Sequence, residues 1–134
     1  MFIDSHTHLY DAKFNDDLDI VINNALNNKV NRFLLPNIDK KTLPQLISTC
    51  QKYKNLLFPM LGLHPCSVSS TYEKELEEIY EYINEFPFVA IGEVGIDLYW
   101  ETEMIKEQES AFRTQINWAK KHNLPLIIHS RNSF

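Results

Sequence analysis

Cysteine is scarce in this chain, and nothing in it is apolar enough to enter a bilayer. Only Cys50 and Cys66 occur in 134 residues, which supplies neither a disulfide framework nor a Cys-x-x-Cys zinc knuckle. The first reads as a buried thiol in a helical pattern, the second as a loop thiol after a proline. No apolar run approaches the roughly 18 residues of a membrane span. Acidic and histidine residues interrupt the N-terminal positions where a secretory signal would need an apolar core, so the expected compartment is the cytoplasm. A basic excess is also lacking: Lys and Arg number 13 against 18 Asp and Glu, for a net charge of −5. Broad electrostatic adhesion to nucleic acid is therefore not expected. A phosphodiester substrate remains open, because bound metal ions can be the largest local charges in a site. Linkers, low-complexity segments and short repeats are missing too. What remains, 44% hydrophobic and 12% aromatic, suits one globular domain.

The chain opens on Phe2-Ile3-Asp4-Ser5-His6-Thr7-His8. Two histidines two positions apart on a strand end point to one face, which is ligand geometry for a divalent ion. A lone His-x-His is more often a chance surface pair, so partners are needed. Val89-Ala90-Ile91-Gly92-Glu93 is a short apolar run ending in an acid, followed by the glycine-bounded turn Val94-Gly95-Ile96-Asp97. Pro125-Leu126-Ile127-Ile128-His129-Ser130-Arg131 is a buried-type strand releasing a histidine and then an arginine. Glu93 alone reads as a solvated or salt-bridged carboxylate, and His129 alone as a hydrogen-bonded strand-end histidine. Recurrence changes that balance. In parallel α/β folds the C-terminal strand ends converge on one face, and here that face collects His6, His8, Glu93 and His129.

Helical stripes alternate with these strands: Leu18, Val21, Ile22, Ala25 and Leu26; Leu43, Leu46, Ile47 and Cys50; Leu76, Ile79, Tyr80 and Ile83; and Ile105, Gln108, Phe112, Ile116 and Ala119. The last stripe predicts a long helix ending near Lys120-Lys121-His122-Asn123, where cations suit the helix C-terminus. Val30–Pro36 and Leu57–Pro65 read as two further strands. Five strands alternating with four helices predict βα repetition around a parallel sheet. A (β/α)8 barrel takes about 250 residues. The expectation is therefore a partial barrel: residues 1–134 form the N-terminal part of a longer domain, truncated after the fifth strand, with residues 130–134 a loop. A compact open α/β sheet is the alternative.

Five segments together resemble the TatD family of metal-dependent deoxyribonucleases: Asp4-Ser5-His6-Thr7-His8-Leu9, Gly62-Leu63-His64-Pro65, Ile91-Gly92-Glu93-Val94-Gly95-Ile96-Asp97, Gln108-Glu109-Ser110-Ala111-Phe112 and Leu124–Arg131. The resemblance implies a metal hydrolase acting on DNA phosphodiesters with two divalent ions (Zn, Mg or Mn). It implies that His6 and His8 ligate the first ion, that Glu93 bridges both, and that His129 ligates the second. The family's further histidine and aspartate fall beyond position 134, so at most one ion would be well held here. Val94 stands where many relatives have cysteine.

Hydrolysing a phosphodiester at neutral pH needs hydroxide and charge stabilisation on the attacking and leaving oxygens, the work of a metal pair. Arg131 could bind the phosphate through a bidentate fork, and His64, at a strand end, could contact substrate or donate a proton. Their bland readings are a surface arginine and a histidine hydrogen-bonded beside Pro65. Asp97 could orient a ligand from behind. Two other readings compete: a related barrel hydrolase acting on another ester or an amide, and an inactive fragment. Glu93, in place of a modified lysine, disfavours the amidohydrolases. An open barrel edge would favour self-association.

Overall fold

A computed structural model describes residues 1–133. Five strands, β1 (Phe2–Asp4), β2 (Val30–Leu35), β3 (Leu57–Leu61), β4 (Ala90–Asp97) and β5 (Leu126–Arg131), alternate with four α-helices, α1 (Leu18–Asn27), α2 (Leu43–Lys52), α3 (Tyr72–Tyr80) and α4 (Ile105–His122). All neighbouring strands are parallel and the sheet order is β1-β2-β3-β4-β5. A parallel pair cannot be joined by a tight turn, so each step needs a crossover, and here each crossover carries a helix. Strictly sequential order curls the sheet into half of a barrel, as the alternation of apolar runs and stripes predicts.

The core lies between sheet and helices. Leu35, Leu61, Ile91 and Val94 from the strands are fully buried, and Leu43, Leu46, Leu76, Ile79 and Ala111 cover them. The long helix departs from its expected stripe. Its buried residues are Gln108, Ala111, Gln115, Trp118 and Ala119, while Ile105 is exposed. The two glutamines set this rotation. Gln115 Oε1 accepts from the Leu63 N–H at 2.7 Å and its Nε2 donates to the Leu63 carbonyl at 3.2 Å. Gln108 makes the same pair of bonds to the Asp97 backbone, at 2.8 and 3.2 Å. Buried backbone groups just past β3 and at the end of β4 are thereby satisfied, which fixes where those segments point.

Four boundaries differ from expectation. β1 ends at Asp4, so His6 and His8 lie in the segment after it rather than on the strand. β3 stops at Leu61 rather than Pro65, and Pro65–Ser67 forms a 3-10 turn capped by His64. Pro65 has no N–H to offer a ladder. Residues 94–97 are not a turn: β4 continues through Asp97, with a register shift between Ile91 and Val94 where it pairs with β5. Glu93 consequently sits within the strand rather than at its mouth. Finally, β5 is an edge strand and not a buried one, with Ile128 58% exposed, and residues 130 and 131 belong to it. Phe134 lies outside the described residues.

Gly95 makes the β4–β5 contact possible. Its φ is +143°, and a Cβ there would lie 2.0 Å from the His129 carbonyl oxygen. Gly95→Ala should therefore destabilise the fold by about 3 kcal/mol or more, combining a strained φ with a backbone clash. Urea unfolding checks this, and a variant as stable as wild type would rule out the described β4–β5 packing.

Candidate metal centre

Glu93 is 8% exposed, and its backbone is clamped from across the sheet. The Asn37 N–H donates to the Gly92 carbonyl at 3.1 Å, and the Glu93 N–H donates to the Asn37 carbonyl at 3.1 Å. Asn37 is itself fully buried, its Nδ2 donating to the carbonyls of Gly62 and Asp39, both at 2.8 Å. Thr42 completes the set by donating its hydroxyl to Asn37 Oδ1 at 3.0 Å. The carboxylate is thus mounted on a rigid backbone, with its two oxygens facing different histidine pairs.

Oε2 lies 3.1 Å from His6 Nε2 and 3.8 Å from His8 Nε2. Oε1 lies 3.0 Å from His129 Nδ1 and 3.8 Å from His64 Nε2. Two triplets result, His6–His8–Glu93 and His64–Glu93–His129, each with its candidate ligand atoms within 4.8 Å of one another. Imidazole nitrogens around a shared carboxylate are a donor set that suits divalent transition metals. The residues present fit such ions. The structure thus brings together His6, His8, His64, Glu93 and His129. Arg131 stands apart: it is exposed at the end of β5, and its guanidinium carbon lies 5.5 Å from the Tyr99 ring centroid.

Each ring except His6 is oriented by a described partner. His129 Nε2 lies 2.7 Å from Asp97 Oδ2. Burial works against the charge of Asp97, but hydrogen bonds from the Trp100 N–H, His129 and the Tyr99 N–H hold its carboxyl far below the usual carboxylate range. An ionised Asp97 only accepts, so His129 carries a proton on Nε2 and turns Nδ1 towards Glu93. His64 Nδ1 accepts from the Cys66 N–H at 3.1 Å. A neutral His64 must then carry its proton on Nε2, the atom nearest His129 Nδ1 at 3.3 Å. This makes His64 a donor in the site rather than a ready ligand.

Tyr10 orients His8, and no sequence signal marked it. Its hydroxyl donates to the buried Pro36 carbonyl at 2.7 Å and lies 3.0 Å from His8 Nδ1. The single hydroxyl proton is committed to Pro36, so Nδ1 must be the donor to Tyr10. That leaves Nε2 of neutral His8 bare and facing Glu93. Long-range 15N NMR of the metal-free chain should show His8 as the Nδ1–H tautomer, and Tyr10→Phe should lose that preference. An Nε2–H His8 in the wild type would contradict this.

Burial also lowers the pKa values of His8 and His64 below 6.5. A neighbouring imidazole adds to each shift, His6 for His8 and His129 for His64, while Glu93 opposes it. Unfolding lets both rings protonate at about their ordinary value, so the unfolded state binds more protons once the pH falls below about 6.5. Stability should be full above that pH and decline as it drops towards the folded values. Urea midpoints between pH 7.5 and 5 check the sign, and a rise on acidification would contradict it.

The chain is similar to known proteins along nearly its whole length. The profile of the family described as "TatD related DNase" matches residues 3–134. YabD of Bacillus subtilis, described as an uncharacterized metal-dependent hydrolase, is 34% identical across 99% of this chain and 52% of its own length. Human deoxyribonuclease TATDN3 is 29% identical across 98% of this chain and 52% of its own. The crystal structure of the TatD homologue YjjV from Escherichia coli superposes with a TM-score of 0.89 at 27% identity, over 98% of this chain and 51% of that one. The chain spans about half the length of the relatives it matches. Sharing that profile from residue 3 onward and the YjjV backbone nearly throughout, the chain belongs to the TatD family of metal-dependent hydrolases.

Proposed function

We propose that residues 1–134 form the N-terminal part of a TatD-type barrel domain and carry the metal-binding part of a phosphodiesterase centre acting on DNA. The observation that carries this reading is that Glu93 presents one oxygen to His6 and His8 and the other to His129 and His64, the arrangement a bridging carboxylate needs. Divalent ions, if bound there, would supply hydroxide at neutral pH and stabilise charge on the attacking and leaving oxygens. His6 Nε2, His8 Nε2 and Glu93 Oε2 would hold one such ion. Glu93 Oε1 and His129 Nδ1 would share in holding the second, with Asp97 fixing the ring from behind.

The remaining groups handle protons and phosphate. His64, with its Nδ1 occupied by the Cys66 N–H, keeps its Nε2 proton directed into the site and gives it to the leaving oxygen. Arg131, exposed at the same end of the sheet, offers a fork to a non-bridging phosphate oxygen. The relatives described as deoxyribonucleases support DNA as the substrate class. Among the described residues no helix is long and apolar enough to cross a membrane. The two outer strands leave Phe2, Ile3 and Ile128 more than half exposed, which supports self-association of this chain through its open edges.

The two metal positions should differ in strength. The first has three protein donors independent of His64, and the second has only His129 and a share of Glu93. Calorimetric titration with Zn or Mn should show one dominant site, weakened more by His8→Ala than by His129→Ala. Equal losses in the two variants, or no binding by a demonstrably folded wild type, would refute the assignment.

A further inference from the structure

The loop after β4 carries two large aromatic side chains in solvent: Tyr99 is 57% exposed and Trp100 is 69% exposed. Their backbone is nonetheless tightly fixed. Asp97 Oδ1 accepts from the Tyr99 and Trp100 N–H groups at 2.9 and 2.8 Å, while Oδ2 of the same carboxylate holds His129. Farther along, Gln108 Nε2 donates to the Glu101 carbonyl at 3.0 Å. The rings pack edge to face, with centroids 4.7 Å apart, and the Arg131 guanidinium lies over Tyr99. An anchored loop that displays two rings and a cation, tied through one buried side chain to the candidate metal centre, is a surface prepared for a planar ligand with negative charge nearby. Isolated apolar side chains on a surface are ordinary, but an aromatic pair with an arginine beside it is the combination that captures unpaired bases.

We infer that Tyr99, Trp100 and Arg131 form a stacking platform for an unpaired nucleobase next to the phosphodiester at the Glu93 centre, so that the preferred DNA substrate is single-stranded or has a frayed end. Arg131 serves both sides of this junction, its plane against Tyr99 and its N–H groups available to the backbone phosphate. This rests on the phosphodiester reading of the centre. A base inside a duplex has its faces covered by its neighbours and cannot use the platform without unstacking, which makes the preference for unpaired DNA a direct consequence.

The chain contains its own probe, because Trp118 is buried at 8% exposure and Trp100 is the exposed tryptophan. A metal-free titration with a thymidine oligodeoxynucleotide, an abasic oligomer of the same length and a blunt duplex separates the contributions. Emission from Trp100 should be quenched saturably by the thymidine oligomer. By anisotropy, the thymidine oligomer should bind about ten-fold or more tighter than the abasic one, since stacking is worth about 1–3 kcal/mol per base. Trp100→Ala should remove that difference while leaving abasic binding unchanged, and Trp100→Phe should largely restore it. Equal binding of the thymidine and abasic oligomers overturns the platform alone. Failure of both to bind without metal overturns the platform, and failure of both to bind once Zn or Mn is added overturns the phosphodiester reading with it. Emission that changes with protein concentration but not with DNA assigns the aromatic pair to contact between copies of this chain and likewise overturns the proposal.

Discussion

One buried carboxylate organises this end of the molecule. Glu93 lies inside a strand, where an unpaired ionised side chain would carry a large desolvation cost. Its surroundings compensate with four imidazole rings within 3.8 Å of its oxygens. Three of those rings are in turn oriented by partners of their own: Tyr10 for His8, the Cys66 N–H for His64, and Asp97 for His129. A carboxylate whose neighbours can all be neutral donors or bare nitrogens is a poor salt bridge and a good half of a cation site. The local hydrogen bonds thus turn the lone pairs of His8 and His129 inward and direct the His64 Nε2 proton into the same space.

That arrangement depends on how the strands are stopped and held. Parallel strands deliver side chains to a common face only if their ends are fixed relative to one another, and much of the fixing comes from amide side chains. Asn37 joins the segment after β2 to Gly62 and to the peptide around Glu93. Gln115 and Gln108 reach from α4 to Leu63 and Asp97, the residue before His64 and the residue that holds His129. Each glutamine amide satisfies a backbone donor and acceptor, and the Asn37 amide satisfies two backbone carbonyls and the Thr42 hydroxyl, which is why all three tolerate full burial. Of the four histidines only His129 lies on a strand, so the mutual position of the others depends on these contacts just past the strand ends.

The sequence showed the alternation of strands and helices well, because apolar runs and 3.6-residue stripes are local signals. It also exposed the histidines and Glu93 as members of one face. What it hid was long-range or broke a local rule. Glu93 read as a strand-end acid because Gly92 and Gly95 look like turn residues, whereas Gly95 is there to let the β5 backbone approach. Leu126–Ile128 read as a buried strand, since an edge strand and a buried one share the same composition until a neighbour is counted. The orienting contacts of Tyr10 and Asn37 span 26 and 25 positions to Pro36 and Gly62, and neither residue type announces such a partner. Gln108 was counted in an apolar stripe for its spacing, although it is buried for its hydrogen bonds.

The overall charge of −5 acquires a local meaning from this geometry. An acidic segment repels a polyanion at long range, so the proposed DNA substrate would gain nothing here from simple electrostatic steering. Within the site, however, Glu93 and Asp97 are the negative charges, and both are buried and turned towards histidines. Arg131 remains at the rim with the aromatic pair beside it. Under the proposed reading, positive character at the centre would come from cations held by the imidazoles, while affinity for a chain of nucleotides would come from short-range contacts that salt screens weakly. A site built in this way would discriminate by the shape and stacking of what is next to the phosphate rather than by attraction to nucleic acid in general, which places the selectivity in the few residues that surround β4 and β5.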